Sequence, residues 1–112
     1  MKKSLVGIAA LAAGLVFAAP AHADPDTDFN NELHTYGIYA GKDYNAWIGK
    51  ITCKRLRNGL DADANKSAQF VHNQLAKDST TAQAWQFLGA ALRTYCPDKM
   101  PILEAAAQQP QQ

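Results

Sequence analysis

The two cysteines, Cys53 and Cys96, are the residues of this chain with the most versatile chemistry. A pair of thiols can form a disulfide, ligate a metal or exchange electrons. No Cys-x-x-Cys redox motif is present, and no histidine follows either cysteine at the spacing of a zinc site. The residues therefore favour one structural disulfide, Cys53 with Cys96, and they leave a free or intermolecular thiol open.

A second candidate for chemistry is a basic stripe formed by Lys50, Lys54 and Arg57. Their spacing of i, i+4 and i+7 places all three on one side of a helix. Such a stripe could bind an unknown partner protein or a component of the cell envelope, such as a cell-wall polymer or a lipid headgroup. A solvated helix face is the simpler interpretation, and we favour it.

A third candidate is a group of four ring-bearing residues early in the chain, His34, Tyr36, Tyr39 and Tyr44. Histidine and tyrosine both serve as axial ligands of haem iron. The sequence therefore keeps, as an alternative function, a carrier of haem or of a lipid-like small molecule. The same residues are more simply explained as parts of a hydrophobic core and its edge.

Motifs for catalysis are not found. The chain has no Gly-x-Ser-x-Gly, no phosphate-binding glycine loop and no His-Glu-x-x-His. We therefore predict that the protein is not an enzyme, with no metal and no cofactor.

These candidates are positioned by helices, since apolar residues recur at helical spacing and no convincing strand pattern occurs. The periodicity predicts an all-α, four-helix domain over residues 24–107, with a short final turn at 102–107. We predict helices from Asp26 or Asp28 to Tyr36, from Asp43 to about Asn58, over about 62–77, and from Thr80 to Cys96. Trp47 and Trp85, on the second and fourth helices, are expected in the core. The Gln-rich tail, 108–112, is predicted to be disordered.

The first 23 residues predict export from the cytoplasm. A basic start, an apolar run of about 15 residues and an Ala-x-Ala site before Asp24 are typical of a cleaved signal peptide. We therefore expect a secreted, extracellular or envelope protein with no transmembrane anchor after cleavage. Export exposes both cysteines to oxidising conditions, in which disulfides persist.

The charge of the chain argues against nucleic acid as a partner. The full chain carries 11 Lys and Arg against 10 Asp and Glu. Loss of Lys2 and Lys3 with the leader leaves 9 against 10, a formal net charge of −1. No long-range positive field then steers the protein toward phosphates.

Several short motifs in order carry a family resemblance. They are an Asp-Pro start after the leader, Asp28-Phe29 with Leu33, Gly37-Ile38, a cysteine inside a helix, and Tyr95-Cys96-Pro97. In this order they resemble the small exported mycobacterial proteins that share domain of unknown function 732. The resemblance implies a secreted helical protein with a Cys53–Cys96 bond, and it brings no activity, ligand or catalytic residue. We therefore expect a non-catalytic binding or interaction module.

Overall fold

The computed structural model describes residues 24–108, and all regular structure in that range is helical. The elements are α1 (Pro25–Thr35), α2 (Lys42–Arg57), α3 (Ala64–Gln74), α4 (Thr81–Tyr95), a 3-10 turn (Pro97–Lys99) and α5 (Pro101–Ala107). The predicted all-α class is confirmed, and the final turn is a short helix. The predicted signal peptide, residues 1–23, and positions 109–112 of the predicted tail lie outside the described residues.

The helices begin and end at residues whose types favour capping or termination of a helix. Gly37 and Gly59 adopt φ of 81° and 76° after α1 and α2, a left-handed conformation that side chains with a Cβ disfavour. At the start of α4 the Thr80 hydroxyl accepts from the Gln83 backbone N–H at 3.0 Å, and the Gln83 side chain accepts from the Thr80 N–H at 2.9 Å. This capping box satisfies backbone donors that the first helical turn leaves free.

Helix α4 is the centre of the fold and packs against α1, α2 and α3. Its Phe87 ring meets the edge of Phe29 from α1 at 5.2 Å between centroids, and Phe29 meets Tyr95 at the same distance. Edge-to-face ring pairs add about 0.5–1.5 kcal/mol each beyond the area they bury. These rings therefore fix α1 against the second half of α4.

A second apolar cluster surrounds the cysteines. Leu56 of α2 and Leu88 and Leu92 of α4 pack there, and Leu103 of α5 covers the cluster from outside. Helix α5 differs from the four longer helices because none of its residues is fully buried. It is therefore attached to the body of the protein by partly exposed contacts.

The apolar pattern of α2 predicts its buried face only in part, since Ile48, Cys53 and Leu56 are buried and Trp47 is not. Trp47, predicted in the core, is 59% exposed, so that prediction is wrong. The buried residues of α2 are Asn45, Ala46, Ile48, Gly49, Thr52, Cys53 and Leu56. At 100° per residue, their centre lies roughly two-fifths of a turn from the centre of Tyr44, Trp47 and Ile51. Two polar side chains are buried there: Thr52 donates to the Ile48 carbonyl at 2.8 Å and Asn45 Nδ2 donates to the Ala40 carbonyl at 3.1 Å, whereas Asn45 Oδ1 has no hydrogen-bond partner within residues 24–108.

A buried ion pair closes the connection from α2 to α3. Asp61 is 4% exposed and accepts from Arg55 Nε and Nη2, each at 3.0 Å. The Ser67 hydroxyl donates to the same carboxylate at 3.0 Å, and the Arg55 guanidinium lies 4.1 Å from the Phe70 ring centroid. The Asp63 side chain caps α3, where it accepts from the Lys66 backbone N–H at 3.0 Å.

Candidate functional site

The two cysteines form the predicted disulfide. Their sulfurs are 2.04 Å apart and their Cα atoms 5.9 Å apart, and the bond joins α2 to the residue that ends α4. Both residues are at least 95% buried. No free cysteine occurs in the described part of the chain, so neither sulfur is placed to act as a nucleophile there.

The basic stripe is partly neutralised within the chain. Lys50 Nζ lies 3.2 Å from Asp26 Oδ2, and Arg57 Nη2 lies 3.2 Å from Asp98 Oδ1. Lys54 is exposed, and no ion pair is found for it within residues 24–108. Two of the three cations therefore already have carboxylate partners, which lowers the attraction of the stripe for an anionic ligand.

The four ring-bearing residues of the third candidate point to different partners. The His34 and Tyr39 rings are 5.2 Å apart, and both residues are exposed. Tyr36 donates its hydroxyl to Glu32 Oε2 at 2.6 Å, whereas Tyr44 donates to the Gln74 carbonyl of α3 at 2.9 Å. Only His34 and Tyr39 are brought together by the fold.

The environment of Tyr36 also determines its chemistry. The hydrogen bond to Glu32, with burial and the negative charge of that residue, raises the pKa of the Tyr36 phenol above its usual value. The Arg93 guanidinium binds the same Glu32 carboxylate and opposes this effect. The Tyr36 hydroxyl is therefore engaged by Glu32, and iron binding at this oxygen would have to displace that hydrogen bond.

Three apolar residues of α2 that reach the surface, Tyr44, Trp47 and Ile51, form what we call the aromatic face. The Tyr44 and Trp47 rings are 6.2 Å apart at an interplanar angle of 66°. Trp47 is 59% exposed, Tyr44 is 38% exposed and Ile51 is half-buried. Lys54, seven residues after Trp47, lies two helical turns along the same side. Sequence reasoning assigned these apolar residues to the core, because hydrophobic spacing alone does not tell an inward stripe from an outward one.

A groove of 490 Å³ lies between α3, the first half of α4 and α5. The residues that line it are Asn65, Ala68, Gln69, His72, Thr81, Ala84, Trp85, Leu103, Ala106 and Ala107. Sequence reasoning missed this groove. In the sequence, the groove is indicated only by the polar residues Asn65, Gln69 and His72, which lie at i, i+4 and i+7 on α3. The same spacing of polar residues is typical of a solvated helix face.

A second hollow of 630 Å³ separates the connection between α1 and α2 from the connection between α3 and α4. Tyr39 lines it, together with Ile38, Leu75 and Gln83. The Gln83 side chain donates to the Tyr36 carbonyl at 3.0 Å across one edge of the hollow. Of the predicted ligand-binding residues, only Tyr39 contributes to this hollow.

Neither a metal-binding cluster nor a membrane-spanning helix occurs in residues 24–108. That range contains no group of three or more His, Cys, Asp or Glu residues close enough to hold a metal ion. None of its helices combines the length and the apolar character that a membrane crossing requires.

Comparison with known proteins gives a family and relatives. The family model described as "Protein of unknown function (DUF732)" matches residues 25–98. Two Mycobacterium tuberculosis proteins, uncharacterized protein MT0585 of strain CDC 1551 and uncharacterized protein Rv0559c of strain H37Rv, are each 48% identical to this chain over 105 residues. Each alignment covers 93% of this chain and 94% of the relative. No solved structure matches the chain.

Proposed function

The chain belongs to the DUF732 family, and we propose that it is a non-catalytic binding module that docks a protein of the cell envelope through the aromatic face of α2. Export is part of this proposal. It is supported by the signal-peptide pattern of residues 1–23 and by a buried disulfide, since such bonds are typical of oxidising compartments outside the cytoplasm.

The exposure of Trp47 is the observation that carries the proposal. A tryptophan with 59% of its surface in water leaves on the order of 100 Å² of mostly apolar area unburied. Tryptophan and tyrosine are enriched among the residues that dominate binding energy at protein interfaces. Trp47 and Tyr44 lie side by side on one helix, so they offer an anchor of the size that such interfaces use.

The charges beside the aromatic face indicate what kind of partner fits. Lys54 is exposed on this side of α2, while Lys50 is held by Asp26. The surface therefore combines an apolar centre with a single cation at its edge. We propose a partner protein with an apolar pocket for the Trp47 indole and an acidic residue at the rim of that pocket.

The contacts of the candidate haem ligands support a haem carrier less well than they support a binding module. Of the four proposed ligands, His34, Tyr36 and Tyr44 each have a hydrogen-bond partner of their own, and only the Tyr39 ring lies against another member of the set, His34. The absence of catalysis is also a proposal. It is supported by the separation of His34 on α1 from His72 on α3 and by the use of both cysteines in the disulfide.

The experiment compares two truncations of exposed apolar side chains. Trp47→Ala removes the centre of the aromatic face, whereas Leu60→Ala removes a side chain that is 65% exposed beyond the far end of α2. The free energy of unfolding of both variants should lie within about 0.5 kcal/mol of the wild-type value, because neither side chain is buried. Fractionation of cells should find wild type and Leu60→Ala on the envelope, and Trp47→Ala released into the medium.

Two results would overturn the proposal. One is envelope retention of Trp47→Ala equal to that of Leu60→Ala. The other is a large loss of stability in Trp47→Ala, which would place the indole in the folded core and not at an interface.

A further inference from the structure

The groove between α3, α4 and α5 has the properties of a small-molecule site that is separate from the aromatic face. Its volume of 490 Å³ falls within the range of about 300–1,000 Å³ typical of ligand pockets. No residue of α2 lines it. A ligand in this groove would therefore leave the aromatic face of α2 free to bind a partner.

The residues that line the groove disfavour binding of a charged ligand. None of the residues that line it, all within residues 24–108, is Asp, Glu, Lys or Arg. An ionised ligand would give up part of its hydration against the apolar wall without gaining an opposite charge, which is unfavourable. The groove is therefore suited to an uncharged molecule.

The apolar walls favour a flat shape. The half-buried indole of Trp85 on α4 lies in the groove with Leu103 and Ala106 of α5. A tryptophan ring offers a broad surface on which another ring stacks. The short Ala106 side chain leaves space for such a ring between α5 and the body of the protein.

The polar residues supply directional contacts along α3. His72 Nε2 lies 3.0 Å from the Ser79 carbonyl oxygen, which can only accept, so Nε2 carries the proton of this hydrogen bond. In the uncharged ring, Nδ1 is then an acceptor. Gln69, one turn earlier, offers an amide with both donor and acceptor atoms. We propose that the groove binds an uncharged, flat ring molecule that stacks on Trp85 and hydrogen-bonds with Gln69 and His72.

The test uses two probes that differ by a single charged group. N-phenyl-1-naphthylamine is uncharged and has a flat naphthalene ring, a phenyl ring and one N–H donor, and its 8-sulfonate derivative has the same rings with a negative charge. Titration of the purified, oxidised protein should give saturable, one-to-one fluorescence enhancement with the uncharged probe. The sulfonate should bind at least about tenfold more weakly, because it buries an unpaired charge.

The position of the probe is tested by filling the groove. Ala106→Phe, whose side chain enters the groove, should weaken binding of the uncharged probe at least about tenfold, since a filled site must distort to admit a ligand. Ala105→Phe is the matched control, because Ala105 is exposed on the same helix and does not line the groove. Ala107→Phe serves as a second filling variant. Ala107 is exposed at the end of α5, where a larger side chain does not disturb the core.

Energy transfer gives a readout that does not depend on filling variants. Trp47 and Trp85 are the only tryptophans in the chain, so Trp47→Phe leaves Trp85 as the sole donor. Bound probe should strongly quench Trp85 emission in that variant. Equal affinity for the two probes, equal weakening by Ala105→Phe and Ala106→Phe, or saturable binding without quenching of Trp85 would each overturn the proposal. A groove occupied by a second copy would also overturn it, and would appear as concentration-dependent dimers that Ala106→Phe abolishes.

Discussion

The Tyr95 hydroxyl donates a hydrogen bond to Asp26 Oδ1 at 2.7 Å, joining the last residue of α4 to the first turn of α1. Lys50 of α2 approaches the other oxygen of Asp26 at 3.2 Å, and its ammonium lies 5.5 Å from the Tyr95 ring centroid. Three helices therefore meet at one carboxylate. The hydrogen bond from Tyr95, with help from Lys50, lowers the pKa of Asp26 although burial opposes the shift. Burial and the nearby Asp26 raise the pKa of Tyr95.

The lowered pKa of Asp26 predicts a loss of stability in acid. Because the folded pKa lies below the ordinary value of 3.8, the stabilisation is complete above pH 3.8 and disappears as the pH falls through the folded pKa. Asp26→Asn should unfold more easily at pH 7, by about 1 kcal/mol, and should lose less stability than wild type below pH 4. Urea unfolding between pH 7 and pH 2 measures both effects. An unchanged acid dependence in the variant would contradict the assignment.

Much of the fold follows from local signals in the sequence. A few residues determine each of three features: the capping box at Thr80, the helix ends at Gly37 and Gly59, and the disulfide. In each case the residue types favour one local structure. The orientation of α2 is different, because Asn45 and Thr52 are buried only once Ala40 and Ile48 accept their hydrogen bonds. Both bonds are local in sequence, so they permit burial of these residues without selecting it. The bond from Asn45 Nδ2 to Asn30 Oδ1 of α1, at 3.3 Å, depends on tertiary packing that hydrophobic spacing does not encode.

The candidate surfaces were predictable only in part. The basic stripe lies where its spacing indicates, but its pairing with Asp26 and Asp98 depends on contacts 24 and 41 residues apart in sequence. The aromatic face consists of residues that the sequence assigned to the core. The groove depends on where the short helix α5 rests, and no single residue of α5 specifies that position, since none is fully buried.

Gly49 is required by the aromatic contacts between α1 and α4. A Cβ at this position would lie 2.9 Å from the Tyr95 ring and 3.0 Å from the Phe29 ring. Gly49→Ala should therefore destabilise the protein by about 1–3 kcal/mol, despite the better helix propensity of alanine. Gly41→Ala is the control, because a Cβ there meets no atom within 4 Å. Denaturant unfolding of the two variants should separate them, and similar stabilities would refute the packing argument.

The buried pair of Asp61 and Arg55 predicts a large effect for a small substitution. Asp61→Asn leaves the guanidinium without its counter-charge, at a cost of about 2–3 kcal/mol once the partial exposure of Arg55 is allowed for. Asp98→Asn, which breaks the exposed pair with Arg57, should cost less than about 1 kcal/mol. Thermal unfolding compares them directly. Equal losses in both variants would mean that burial does not strengthen the first pair.

The disulfide should supply a large share of the stability. Its cysteines are 43 residues apart, and closing a loop of that length stabilises the folded state by about 4 kcal/mol in the chain-entropy model. Reduction, or Cys53→Ser with Cys96→Ser, should lower the free energy of unfolding by a similar amount. Urea unfolding with and without reductant measures the difference. A loss below about 1 kcal/mol would show that packing alone maintains the fold.

The most direct test of the account is photo-cross-linking from the aromatic face in the native host. A photoreactive residue replaces Lys54, beside Trp47, or Asn73, which is exposed on α3 as a control. We predict one dominant adduct with an envelope protein from position 54, absent from position 73 and lost when Trp47→Ala is added. Adducts that are equal from both positions, or that persist without the Trp47 indole, would contradict a docking role for α2.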